Sequence, residues 1–180
     1  MNKLGFGYLR LPKIDEELDY EKINQITDAY LAAGGRYFDT AYSYLGGKSE
    51  QAIGRCLSAR HPRDSFMLAS KLAGYDCKSI DDCWAQFNTQ LERCGVEYFD
   101  VYMLHWLNKK NYTIAEKYDQ FGFLQQLKEK GPCQKNRLFL PRYSRPAGRN
   151  PYKTSTGGLC TVADKLSGLG KRGHTVPPVL

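Results

Sequence analysis

An acid, a phenol, an ammonium and an imidazole follow one another along this chain as Asp39, Tyr44, Lys71 and His105. Asp39 comes directly after the short apolar run Tyr37-Phe38 and five residues before Tyr44. Lys71 ends the run Phe66 to Ser70, and His105 ends the run Phe99 to Leu104. Side chains at the carboxyl ends of parallel strands gather at one pocket. The chemistry such a set could perform is proton transfer during carbonyl reduction. Hydride addition to a carbonyl leaves an alkoxide that needs a proton. A free tyrosine, with a pKa of about 10, is a poor acid at neutral pH. A neighbouring lysine ammonium makes it a better one, and a carboxylate keeps that lysine charged and aimed. A neutral histidine can polarise the carbonyl oxygen by hydrogen bonding. On this reading Tyr44 is the general acid, Lys71 its tuner, Asp39 the partner of Lys71 and His105 the orienting group.

Each residue has a plainer reading when taken alone. His105 beside Trp106 suits a core or rim histidine, and Lys71 suits a solvated surface lysine. Tyr44 is one of 13 tyrosines. Asp39-Thr40 suits a turn or cap. The ordered recurrence of all four, at or just after successive strand ends, favours the chemical reading.

The elements that must position them alternate. Lys3 to Leu11 reads as a strand. Tyr20, Ile23, Ile26, Tyr30 and Leu31 share one helical face that Asp19 can cap, and Gly34-Gly35 ends that helix. Tyr37 to Asp39 is a second strand. Ser49 is the expected cap of a helix through Leu57. Phe66 to Ser70 is a third strand. Ile80, Cys83, Trp84, Phe87, Leu91 and Cys94 form an apolar stripe behind the capping box Ser79–Asp82. Phe99 to His105 is a fourth strand. Phe121 to Lys130 is a fourth helix with Phe121, Leu124 and Leu127 on one face. Four β/α units imply an α/β fold with a parallel sheet and right-handed crossovers. Their length of roughly 30 residues suits part of a (β/α)₈ TIM barrel. An open doubly wound sheet is the competitor, but no GxGxxG follows the first strand.

Charge divides the chain. Residues 1–131 carry 17 Lys and Arg against 18 Asp and Glu, a net of −1. Residues 132–180 carry 9 against a single acid, Asp164, a net of +8, together with six of the eight prolines. The expected domains are therefore a β/α region, 1–131, and an irregular basic Pro/Gly-rich tail, 132–180. The six cysteines show no CxxC spacing and read as scattered thiols, with no metal site expected. No N-terminal signal and no span of membrane length is recognisable, so a cytoplasmic location is expected and a membrane partner is not. The basic tail lacks a recognised docking motif, so nucleic acid is not an expected partner.

The motifs resemble those of the aldo-keto reductase family over residues 1–131. Leu4-Gly5-Phe6-Gly7 resembles its opening strand, and Phe38-Asp39-Thr40-Ala41-Tyr42-Ser43-Tyr44 its DTAxxY signature. Ser49-Glu50-Gln51-Ala52-Ile53-Gly54 fits the SExxxG continuation. Ala69-Ser70-Lys71 resembles the strand ending in lysine, and Asp100 to His105 the DxYxxH strand. Leu45 replaces the usual glycine after the tyrosine. The wording is closest to bacterial members with a cysteine-rich, ferredoxin-like C-terminal extension, and residues 132–180 hold no such cysteine cluster. The resemblance implies NADPH or NADH as cofactor and a small-molecule carbonyl substrate. It places Gly7, Tyr8, Leu9, Arg10 and Asp39 at the cofactor and Trp106 in the substrate pocket.

The family continues after the fourth helix with further β/α units that carry much of the cofactor site. Codons can be chosen for Lys135 onward so that reading one base later yields a long family-like run. The expectation is a frameshift near Gly131, leaving a truncated fragment with little or no turnover. Four strands cannot close a barrel, so open sheet edges are expected to favour self-association. A non-catalytic half-barrel is the competing class.

Overall fold

The computed structural model describes residues 4–130. The expected tail at 132–180, with Cys133 and Cys160, lies outside the described residues.

Four strands form one parallel sheet: β1 (Phe6–Gly7), β4 (Tyr37–Asp39), β5 (Met67–Leu72) and β6 (Val101–Leu104), in the order β1-β4-β5-β6. The helices between them are α1 (Tyr20–Ala32), α2 (Lys48–Ile53) and α3 (Ile80–Cys94). The architecture is that of a partial (β/α) barrel, and the described strands do not close it. Asp19 caps α1 as its sequence position suggested, its Oδ1 accepting from the amide of Lys22 at 2.9 Å. Ser79 caps α3 by accepting from the amide of Asp82 at 3.0 Å.

Register decides which side chains share a face. Gly7 lies opposite Asp39, Asp39 opposite Ala69, Ala69 opposite Val101 and Lys71 opposite Met103. Strand side chains alternate between faces. Gly7, Asp39, Lys71 and, one step beyond Met103, His105 therefore fall on a single face. The ladder reaches His105, whose amide donates to the Leu72 carbonyl at 2.9 Å.

The opposite face is mostly apolar and packs beneath the helices. Phe38 is fully buried, in edge-to-face contact with Phe6, Tyr8, Tyr30 and Phe66. Phe87 of α3 meets Tyr102 at 4.9 Å and Phe99 at 5.8 Å between centroids. Each fully buried aromatic ring contributes about 2 kcal/mol from burial alone.

Several local expectations need correction. Ser49 is not a helix cap, because α2 begins at Lys48 after the left-handed Gly47, and Ser49 is fully buried inside it. After Ile53 the helix widens into a π-turn, Gly54–Ser58. The long first strand shrinks to β1, and a hairpin follows, β2 (Lys13–Ile14) with β3 (Glu17–Leu18), turning through Asp15 at φ 52°. A further helix, α4 (Lys109–Lys117), is capped by Asn108 and precedes α5 (Gln120–Lys130). On α5 the fully buried side chains include Phe123 with Leu124 and Leu127, while Phe121 is half-buried against Tyr112.

Gly54 lies where the end of α2 crosses α3. A Cβ there would stand 2.5 Å from the main-chain carbonyl oxygen of Arg93. Main chain cannot rotate away as a side-chain tip can. Gly54→Ala is expected to destabilise the fold by roughly 2 kcal/mol, the usual scale of overpacking. Urea denaturation measures it, and an unchanged midpoint contradicts this close crossing.

Candidate active site

Strand ends and the loops after them bring Asp39, Tyr44, Lys71 and His105 together. The Lys71 ammonium donates to Asp39 Oδ1 at 2.6 Å and to the Thr40 carbonyl at 2.8 Å. Its side chain is 12% exposed and that of Asp39 28%, so water screens the pair only partly. The ammonium also sits over the ring face of Tyr44, 4.7 Å from its centroid, in a cation–π arrangement. The other neighbour of that ring is His105, edge-on with centroids 5.4 Å apart. Lysine thus meets tyrosine through the ring face, and its hydrogen bonds go to Asp39 and the Thr40 carbonyl.

The loop after β4 holds Tyr44 in place. Tyr44 opens a short 3₁₀ turn, Tyr44–Gly47, in which Leu45 takes φ 53° and ψ 33°. That left-handed geometry suits glycine and costs a leucine about 1 kcal/mol. Leucine at this position therefore keeps a glycine-like backbone while its side chain packs against the core. Ser43 Oγ shares a hydrogen bond with His105 Nδ1 at 3.2 Å.

His105 is flanked on its other side by Tyr75, centroids 6.3 Å apart. Tyr75 stands in the loop after β5, which two buried glutamines secure. Gln86 Oε1 accepts from the Ala73 amide at 2.6 Å, and Gln120 Nε2 donates to the Gly74 carbonyl at 2.6 Å. Trp106 is 70% exposed and has φ 51°, its carbonyl held by Asn108 and Asn111. Its indole meets Tyr75 edge-on. A cleft of about 330 Å³ is lined by residues including Tyr42, Asp76, Cys77 and Gln86, and by none of Asp39, Tyr44, Lys71 and His105.

The residues expected at a cofactor separate. Gly7 lies beside Asp39, and apart from its chain neighbours no residue comes within 4 Å of the place its Cβ would take. Leu9 and Arg10 are exposed. Tyr8 turns the other way. Its ring is fully buried, its hydroxyl is bonded to Thr27 Oγ1 at 2.6 Å, and burial pushes its pKa well up. Alternation along the chain explains this, since the residue after an inward-facing Gly7 must face the helices. The Thr40 carbonyl, Ser43 and Tyr75 escaped sequence reasoning. A main-chain acceptor leaves no trace in residue type, and Tyr75 gave no signal among so many tyrosines.

Burial, and then the Lys71 charge, lower the pKa of His105 below the usual 6.5, with Asp39 opposing. Well above pH 6.5 the imidazole is neutral in both folded and unfolded chains. As pH falls below that value the unfolded chain binds the proton first, so stability declines until pH passes the depressed folded pKa. Urea midpoints measured from about pH 8 to pH 5 should decline less steeply in His105→Asn than in the parent chain. Identical slopes contradict a neutral, partly desolvated imidazole at this position.

Comparison with known proteins agrees with the fold. The sequence profile of the Aldo/keto reductase family matches residues 3–135. An aldo-keto reductase of Mycolicibacterium smegmatis is 30% identical over 124 residues, covering 68% of this chain and 41% of its own length. The holo form of an aldo-keto reductase from Bacillus halodurans shares the fold with a TM-score of 0.58 and 28% identity, over 73% of this chain and 44% of that one. A Klebsiella pneumoniae aldo-keto reductase in complex with NADPH, 22% identical, has a TM-score of 0.55 over 74% of this chain and 43% of its own. The chain thus spans about two fifths of the length of the curated relatives it matches. With most of its length inside the family profile, this chain belongs to the aldo/keto reductase family.

Proposed function

We propose that this chain carries the proton-donating half of an NAD(P)H-dependent oxidoreductase site that reduces an aldehyde or ketone. The observation that carries the reading is the Lys71 ammonium, held by Asp39 and the Thr40 carbonyl beneath the ring of Tyr44. Tyr44 gives its proton to the oxygen of the reduced carbonyl. Lys71 offsets the negative charge left on the phenol, and Asp39 keeps the lysine aimed. His105, neutral near pH 7, hydrogen-bonds the carbonyl oxygen and orients it. Trp106 offers an exposed apolar wall for the substrate.

The bound nicotinamide would supply the hydride. Open space before Gly7, next to Asp39, is compatible with its close approach, and the exposed Leu9 and Arg10 flank that place. Tyr8, whose ring lies in the core, contributes to the site through its backbone position alone. Its membership in the family and the NADPH complex of the Klebsiella pneumoniae protein support this choice of cofactor.

The chain as it stands is a truncated, cytoplasmic and nearly inactive fragment, cut off by a frameshift near Gly131. In support, the family match ends at residue 135, close to where acidic residues all but vanish. A second reading, a non-catalytic half-barrel that self-associates, draws on β1 and β6. Each ends the sheet with one strand neighbour among the described residues. A dimer of the purified chain that binds no NADPH would favour it.

Sequencing the source DNA around the codons for Lys130 to Lys135 and assaying both frames tests the proposal. The frame-restored protein is expected to consume NADPH with a simple aldehyde, and Tyr44→Phe to slow it by roughly 100- to 10,000-fold. The chain as given should stay at background. A single clean frame overturns the frameshift. Turnover that survives Tyr44→Phe overturns the proton donor.

A further inference from the structure

Behind the strand ends, on the helix-facing side of the sheet, lies a polar cluster that carries none of the assigned chemistry. Ser49 and Glu50 of α2 are both 0% exposed. Ser49 Oγ donates to the Tyr8 carbonyl at 2.8 Å and shares a hydrogen bond with Thr40 Oγ1 at 2.7 Å. Tyr8 follows β1, and Thr40 follows Asp39 and offers the carbonyl that receives the Lys71 ammonium.

Glu50 reaches the next strand. Its Oε1 accepts from Ser70 Oγ at 3.2 Å and from Gln90 Nε2 at 2.5 Å, and its Oε2 accepts from Arg93 Nη1 at 3.3 Å. Gln90 in turn donates to Ser70 Oγ at 2.7 Å and to the carbonyl of Lys71 itself at 3.2 Å, and its Oε1 accepts from the Tyr102 hydroxyl on β6. The guanidinium of Arg93 lies over the ring of Tyr42, 4.8 Å from its centroid, in the loop that leads to Tyr44. Ser49 thus reaches the residues that follow β1 and β4, Glu50 reaches Ser70 within β5, and through Gln90 and Arg93 the pair connects to Tyr102 of β6 and to the loop bearing the tyrosine.

Burying a carboxylate in such a place is unfavourable. Desolvation raises the Glu50 pKa even against three hydrogen-bonding neighbours. A core built for stability alone has better choices, since apolar side chains of similar volume often match or exceed a buried polar network. What the network supplies is direction. The bonds of Ser49 and Glu50 end on Tyr8, Thr40 and Ser70, or on Gln90 and Arg93, which reach on to Lys71, Tyr102 and Tyr42. Alternation alone cannot fix a strand end to within a few tenths of an ångström, and proton transfer needs that accuracy.

We infer that Ser49 and Glu50 are positioning residues that clamp the strand ends so that Lys71 stays between Asp39 and the Tyr44 ring. The inference rests on the proton-transfer reading of those residues, yet its test needs neither cofactor nor turnover. Protons next to the Lys71 nitrogen lie over an aromatic face and are shifted upfield in the NMR spectrum. Selectively labelled lysine reports this shift, with Lys71→Arg assigning the signal and Tyr44→Leu removing the ring.

Ser49→Ala and Glu50→Ala are expected to lose most of the upfield shift in protein that urea titration shows to be folded. Glu50→Gln, which keeps the shape and an acceptor oxygen for Ser70 and Gln90, is expected to retain it. Ser49→Ala removes a single oxygen and keeps the test open if Glu50→Ala fails to fold. Lower urea midpoints with an unmoved Lys71 signal mean a merely structural role and overturn the inference. A parent chain whose Lys71 signal is the same with and without the Tyr44 ring overturns the underlying site geometry instead.

Discussion

The ion pair between Lys71 and Asp39 is the contact on which the candidate site depends. It joins two strands through side chains from one face, at 2.6 Å, with most of the lysine withdrawn from water. Unpaired, a largely buried ammonium is costly. Paired, and with the Thr40 carbonyl as second acceptor, it becomes a fixed positive charge. Tyr44 and His105 are then arranged around that charge, one ring over it and the other edge-on to the first. Losing Asp39 leaves the ammonium without its counter-charge, and losing Lys71 leaves the phenol without its cation.

The parallel sheet makes this possible by dividing its two faces between two tasks. The helix-facing side carries Phe38, Leu68, Leu72 and Tyr102 and is buried under α1, α2 and α3. The other side carries Gly7, Asp39, Lys71 and His105. A shift of one residue in any strand would exchange the two sets. Register is thus held by the apolar face and used by the polar one. The polar bonds of Ser49 meet the residues just past β1 and β4, and those of Glu50 and Gln90 reach Ser70 and the Lys71 carbonyl within β5, so that hydrogen bonds add direction to the apolar packing.

Much of this was legible in the chain because the informative residues sit at boundaries. Asp39, Lys71 and His105 each end an apolar run, and that position alone implies a shared rim once the strands are parallel. The α3 stripe was equally plain, with Ser79 capping it as its place before the run suggested. Other features left weaker traces. Ser49 looked like a cap because serine before a helix usually is one. Its actual partners are a distant carbonyl and a distant hydroxyl, which no local pattern encodes. The helix α4 has few buried positions, Asn111 and Ala115, and so no apolar period to detect. Gln86 and Gln90 look like ordinary exposed helix residues in sequence, and only the packed fold shows them to be buried connectors.

The most direct measurement of the central contact is a double-mutant cycle. The stabilities of the parent chain, Asp39→Asn, Lys71→Met and the double variant are compared by urea denaturation. A contact this short and this shielded should give a coupling of about 1–3 kcal/mol. Additive effects, within about 0.5 kcal/mol, would mean that the two side chains do not meet in solution.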